Sequence, residues 1–391
     1  MNNLVGLEAR ISEVIPEYCK KDTKEPKLHV NVYVIHFSIY AMHRFFQKWL
    51  LLIYLICPFQ GLVGQSALLQ KEIAEIIRYE ANIDFTVVPG VLVGVIDGDS
   101  TYVCSFGQRM DKDSMYELGS LTKPVIAWLA QKALDSLGWG KDASVCLFLP
   151  DSLCRDGWHD LTVEDLILHH SGMPRFPPGA DEKGTAVQDP YASYDILHFA
   201  HDLQGISSLP GQYSYSHLAY GMLYWLFERV GGLESFAHRM LIGPLALQHT
   251  GWIFPDYAIA QGHGLDGRVQ PPWHCNALST AMGLKSSMSE LMIFLKSVFS
   301  SLAVETPELT SALRKEMNLL SKSGAYKVVG GWFLIQSGDE LVFYHTGRTG
   351  GHQVSVAFIP EKEKGVVVIS NGAPGSNELS LLVLNMVNRA K

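Results

Sequence analysis

Strand-forming sequence in this chain is split between two distant blocks, and that split limits the folds it can adopt. The first block holds Pro89–Ile96 and Thr101–Gly107, joined by the turn Asp97-Gly-Asp-Ser. Apolar, β-branched runs bounded by such turns read as a hairpin. The second block holds Val328–Ile335, Glu340–His345, Gln353–Ile359 and Gly365–Ser370. Residues from about 130 to 320 read mostly as helix and loop, with breaker clusters such as Pro174–Gly179. A helical period over Leu68–Ile77 precedes the first block, and a last helix is predicted over Glu378–Lys391. The predicted class is α/β of the α+β kind: one sheet built from both ends, flanked by helices, with a large mostly helical insertion. Pockets commonly form at the seam between two such parts.

Size and charge narrow the function. A chain of 391 residues exceeds the usual single core, so two lobes or one domain with a large insertion are expected. The net charge of −8, with no basic run, argues against nucleic acid as a partner. Residues 1–41 follow no clean pattern and read as an extension or a misassigned start. From Met42 the sequence reads as an export signal. His43, Arg44 and Lys48 form a basic leader, Trp49–Cys57 an apolar run, and Gly64 a small residue at a cleavage point. The run is shorter than the roughly 20 residues of a membrane span. Residues 42–64 are therefore expected to be a signal peptide or anchor, and 66–391 the functional domain. The expected location is secreted or periplasmic, with membrane association through 49–57 where the segment is retained. Cys104, Cys146, Cys154 and Cys275 show no metal-ligand spacing and read as buried thiols, with a Cys146–Cys154 bridge as the alternative.

The segment Glu117-Leu-Gly-Ser-Leu-Thr-Lys-Pro places Ser120 three residues before Lys123. Residues i and i+3 share a helical face, so hydroxyl and amine can meet. Pro124 supports a helix start here, where a missing N–H costs nothing. Taken alone, the pair is better explained by a serine N-cap followed by a surface lysine. Three more stretches shift that balance: Leu209–Gly221, which contains Tyr215-Ser-His217; Phe343–Gly351, where a predicted strand runs into glycines; and Leu166–Pro174, a helix end closed by Gly and Pro.

Together these segments, in order from Pro89 to Asn371, resemble the serine β-lactamase and penicillin-binding-protein superfamily. The pattern is that of class C β-lactamases and their DD-peptidase and esterase relatives. The resemblance implies an antiparallel sheet with an inserted helical subdomain. It also implies roles: Ser120 as nucleophile, Lys123 as base, Tyr215 as proton relay, and the backbone N–H groups of Ser120 and Arg348 as oxyanion hole. His217, His345, Thr346 and Gly347 would contact substrate, and neither metal nor cofactor is implied. The chemistry is coherent, because a neutral serine needs a base in reach and a buried lysine can serve as one. Expected partners are a small molecule or a peptidoglycan peptide, β-lactams among them.

Two departures bear on substrate. His217 stands where penicillin- and peptide-active members usually carry Asn, and His345 where class C enzymes usually carry Lys. A protonated His345 would bind a carboxylate, with its charge fading above about pH 6.5. Arg348 and Lys285 are further candidates for anion contacts, while His169-His170 matches a structural turn of the family. The expected activity is hydrolysis of acyl-D-amino-acid or related bonds through an acyl-enzyme. The alternatives are a β-lactamase or small-ester esterase, and a catalytically silent peptidoglycan- or protein-binding relative.

Overall fold

The two strand blocks meet in one seven-stranded sheet. In the computed structural model the described residues are 66–81, 83–178, 188–303, 327–337, 340–372 and 378–389. The expected leader and the 1–41 extension lie outside them. Residues Ser66–Lys391 form one unit. The strands are β1 (Gly90–Asp97), β2 (Ser100–Gly107), β3 (Lys327–Val329), β4 (Trp332–Ser337), β5 (Glu340–Arg348), β6 (Gln353–Ile359) and β7 (Lys364–Ser370). Their order is β2-β1-β7-β6-β5-β4-β3, and every neighbouring pair is antiparallel. The joint between the blocks is β1 on β7, in register from Val91 opposite Ser370 to Asp97 opposite Lys364.

Strand alternation sorts the side chains of β1 into two cores. Val91, Val93 and Val95 face Val366, Val368 and two helices, α1 (66–79) and one at the C-terminus (Leu379–Arg389). Leu92 and Ile96 face the other way, toward Val367, Ile369, Phe358 and the helix Met288–Ala303. Residues Gly90–Ile96 are buried throughout, as a strand covered on both faces must be. The larger core continues into α2 (Thr122–Leu137) and α3 (His217–Glu228), which carry the candidate site.

One expected strand proved to be two. Val328–Ile335 folds back on itself between β3 and β4 at Gly330 and Gly331, with φ of 53° and 82°. Two successive positive φ values make the turn that matches strand twist, and glycine adopts them without strain. Gly331 also packs on α2, where a Cβ would meet Pro124 Cα at 2.9 Å. Cys146 and Cys154 form a disulfide, whereas Cys104 and Cys275 are buried free thiols. Among the described residues no helix is long and apolar enough to cross a membrane.

Candidate active site

Ser120 sits on a single 3₁₀ turn, Gly119–Leu121, immediately before α2. It is not a helix cap: the caps of the turn and of α2 are Leu118 and Leu121, and neither end carries a side-chain cap bond. The turn is pressed against β5 so closely that only glycine fits at two points. Gly119 has φ +51°, and a Cβ there would meet the Arg348 backbone N at 2.6 Å. A Cβ on Gly347 would lie 1.8 Å from the Leu118 carbonyl oxygen. These contacts bring the backbone around Ser120 and Arg348 together, as an oxyanion hole requires.

Lys123, on the first turn of α2, has no exposed surface. Its Nζ lies 3.2 Å from Ser120 Oγ, 3.0 Å from His217 Nδ1 and 3.0 Å from the Ala281 carbonyl oxygen. It also stands 5.0 Å from the Tyr215 ring centroid and 5.5 Å from that of Tyr220. Burial, reinforced by the nearby Arg175 cation, pushes the amine well below its usual range. A neutral amine has two N–H donors and one lone pair. It can donate to Ala281 and His217 while accepting the Ser120 proton.

Tyr215 and His217 arrive on a loop that is zipped to the segment after His169. The Ser214 N–H donates to the His169 carbonyl at 2.8 Å, and Gly172 N–H to Gln212 at 3.0 Å. Ser214 Oγ, Ser216 Oγ and the His217 N–H donate to the carbonyls of Met173, Pro174 and Arg175 at 2.6, 2.7 and 2.7 Å. The reversal starts at His169, whose φ is 60° and whose Nδ1 accepts the Ser216 N–H at 3.1 Å. That geometry gives His169 a structural task. Burial pushes the Tyr215 phenol up to about 12, although its hydrogen bond to Ser120 works in the opposite direction. His217 is buried, stacks on Phe176 with centroids 4.6 Å apart, and is held well below its usual range by burial and then by Lys123.

His345 differs from the expectation of a protonated carboxylate binder. It is 1% exposed, stacks on Phe333, and donates from Nδ1 to the Thr346 carbonyl at 2.7 Å. Burial, and then the neighbouring Lys123, depress its pKa to about 3, so the ring is neutral at ordinary pH. Lys285 is likewise no anion contact. It is buried, with Nζ 3.5 Å from the Trp252 carbonyl and 3.4 Å from that of Gly283. Thr346 and Gly347 lie on β5 beside the Ser120 turn.

Sequence reasoning assigned no role to two features of this site. The first is Glu117, buried three residues before Ser120. Its carboxylate accepts from the Trp273 N–H at 2.6 Å, Thr349 Oγ1 at 3.0 Å and His352 Nδ1 at 3.0 Å. Burial alone would raise this carboxyl, but the three donors hold it below its usual value. The network ties the Ser120 turn to the β5–β6 connection. His352 lies far along the chain from Glu117, and only the folded register brings the two together. The second feature is Arg175, an exposed residue of the Pro-rich loop, with its guanidinium 5.6 Å from the Tyr215 ring centroid and 5.5 Å from that of Phe176. A lone cation directly after the His-His-Ser-Gly-Met-Pro stretch was its only sequence signal.

Known proteins resemble this chain at low identity. The family profile described as Beta-lactamase matches residues 78–384. A β-lactamase of Escherichia coli (strain K12) is 23% identical over 334 residues, covering 73% of this chain and 84% of the relative. The unguisins hydrolase ungD' of Aspergillus campestris (strain IBT 28561) is 22% identical over 356 residues, covering 82% of this chain. The match spans only 65% of that relative's length. Among solved structures, a β-lactamase/D-alanine carboxypeptidase from Pseudomonas syringae superposes with a TM-score of 0.64 at 20% identity, covering 84% of this chain and 99% of that one. That likeness establishes the fold. With the profile match spanning most of the chain and both sequence relatives named as hydrolyzing enzymes, the chain belongs to the β-lactamase family within the serine β-lactamase and penicillin-binding-protein superfamily.

Proposed function

We propose that this protein is a serine hydrolase that works through an acyl-enzyme on acyl-D-amino-acid bonds of cell-wall peptide or on related esters. The observation that carries this reading is Lys123: an amine with no exposed surface, depressed pKa, and Nζ 3.2 Å from a serine hydroxyl. A scaffold protein gains nothing from burying an amine there, since desolvation costs stability that only chemistry repays. In the proposed cycle, neutral Lys123 takes the Ser120 proton as Oγ attacks the substrate carbonyl. The backbone N–H groups of Ser120 and Arg348 stabilise the oxyanion. Tyr215, protonated at neutral pH, gives its proton to the leaving group and is reprotonated from Lys123. Water then enters, loses a proton to the same base and releases the acyl group from Ser120.

His217 and His345 shape what the site accepts. His217 offers Lys123 one acceptor at Nδ1, and its ring is covered by Phe176. An asparagine at this place offers an amide that both donates to and accepts from a peptide-like substrate, and imidazole does so in a different shape. The relatives named β-lactamase and D-alanine carboxypeptidase support acyl transfer on such substrates, and the histidines favour an ester as the test compound. The Cys146–Cys154 disulfide and the basic-apolar segment from Met42 support a secreted or periplasmic location.

Covalent labelling tests the reading. The full chain and its Ser120→Ala variant are treated with a fluorescent penicillin, then with a short-chain nitrophenyl ester. The parent is expected to form an adduct or to turn over the ester, and the variant to do neither while melting at the parental temperature. An adduct persisting in Ser120→Ala places the nucleophile elsewhere. Failure of the parent with both reagents makes the protein a binding relative.

A further inference from the structure

We propose that Arg175 is the specificity-determining anchor for a carboxylate carried by the substrate, standing at the mouth of the Ser120–Lys123 site. The proposal rests on the hydrolase reading above for the nature of the pocket, and it names what that pocket selects.

Four observations lead to it. The first is placement. Hydrogen bonds from the Gly172 N–H to the Gln212 carbonyl, from the Ser214 and Ser216 hydroxyls to the Met173 and Pro174 carbonyls, and from the His217 N–H to the Arg175 carbonyl fix this loop against Tyr215 and His217. Arg175 is thus delivered by a braced backbone rather than by a free loop tip. The second is orientation. The guanidinium lies 5.6 Å from the ring centroid of Tyr215, and the neutral Lys123 amine lies 5.0 Å from the same centroid, so the arginine shares an aromatic ring with the base. Contact with the faces of Tyr215 and Phe176 holds the fork without using its N–H donors.

The third is availability. Among the described residues the Arg175 guanidinium makes no hydrogen bond and no ion pair. An exposed arginine with all its N–H donors unused, beside a catalytic-type pair, is suited to bidentate carboxylate recognition. The fourth is the state of the other candidates. His345 is buried and neutral, Lys285 is buried against two carbonyls, and Lys123 is committed to Ser120, His217 and Ala281. Arg348 is exposed, and it is its backbone that lies against Gly119 beside Ser120.

The experiment separates binding from turnover. In the Ser120→Ala background, calorimetry measures binding of an N-acyl aminoacyl ester whose leaving group is an α-hydroxy acid, and of the methyl ester of that same acid. The two compounds differ in one carboxylate charge and the methyl group that masks it. The free acid is expected to bind about 10-fold tighter or more, as a charge-assisted pair implies. Adding Arg175→Gln should bring the two affinities together. Arg175→Lys should keep part of the preference, since a point charge lacks the fork. Arg268→Gln, at an exposed arginine paired with Asp266, should leave it intact. Equal affinity for the two compounds at the start overturns the proposal, as does absence of binding. So does a preference that survives Arg175→Gln or is lost in Arg268→Gln. The same two compounds are then given to the chain with Ser120 present. No turnover there, with the Arg175-dependent preference intact, removes the hydrolase reading and leaves the anchor. Turnover with a preference indifferent to Arg175 does the reverse.

Discussion

At the residue scale, the site turns on the protonation state of one amine. Lys123 has no exposed surface at which an ammonium could be hydrated, and Arg175 repels one, so the neutral form is favoured. The base is active when neutral, so its working fraction rises with pH until its depressed pKa is passed. The acylation rate is therefore expected to climb on its acid limb and level off well below pH 10.5, the ordinary lysine value. Tyr215, pushed up to about 12, remains a proton donor across that whole range. Lys123→Ala should slow acylation by about 10²–10⁴-fold, the usual worth of a general base. Stopped-flow acylation with a chromogenic ester reads both effects. A parental midpoint near 10.5, or an unchanged rate in Lys123→Ala, would remove Lys123 as the base. Removing the Arg175 charge in Arg175→Gln should move the midpoint upward, because a repelling cation is lost.

At the element scale, the site depends on how closely β5 approaches the turn before α2. Gly347→Ala would drive a methyl carbon into the Leu118 carbonyl, at 1.8 Å in the present geometry, so strand or turn must move. Displacing one oxyanion donor costs about 2.7–4 kcal/mol in the transition state. Ester kcat/KM in Gly347→Ala is thus expected to fall about 100-fold or more, with a lowered melting temperature. Gly205→Ala, at the end of the helix Ile196–Gly205 with open space around it, is the control and should change neither. Parental activity in Gly347→Ala would mean that the close approach is incidental. Local sequence carried much of this scale. The hairpin at Asp97-Gly-Asp-Ser, the strand Gln353–Ile359 and the meeting of Ser120 with Lys123 all follow from short-range pattern. Gly330-Gly331 was misread as strand interior because apolar residues flank it on both sides, although paired glycines are themselves a turn signal. Long-range register was out of reach. Nothing local announces that Glu117 meets His352, or that Arg175 comes to lie over Tyr215.

At the scale of the whole molecule, the histidines around this site tie stability to pH. His169, His217 and His345 are all buried with depressed pKa values, burial being the largest cause for each. The sequence suggested a protonated His345 because position alone does not reveal burial, and burial decides its charge. In the unfolded chain each imidazole takes up a proton near pH 6.5. In the folded protein His345 resists until about 3 and His169 until about 2. A depressed folded value means the stabilising contribution is complete above pH 6.5 and drains away as pH falls below it. The unfolded state then binds protons that the folded state refuses. Each histidine contributes a slope of up to about 1.4 kcal/mol per pH unit in that window. Denaturant unfolding is therefore expected to show stability falling from about pH 6.5 downward, before the carboxylate range is reached. His345→Gln, which removes one of the three titrating rings, should make the slope shallower by about one proton's worth. Stability that stays flat from pH 8 to 5 would mean these rings are solvated in the folded protein, and the burial that keeps Lys123 neutral would fall with them.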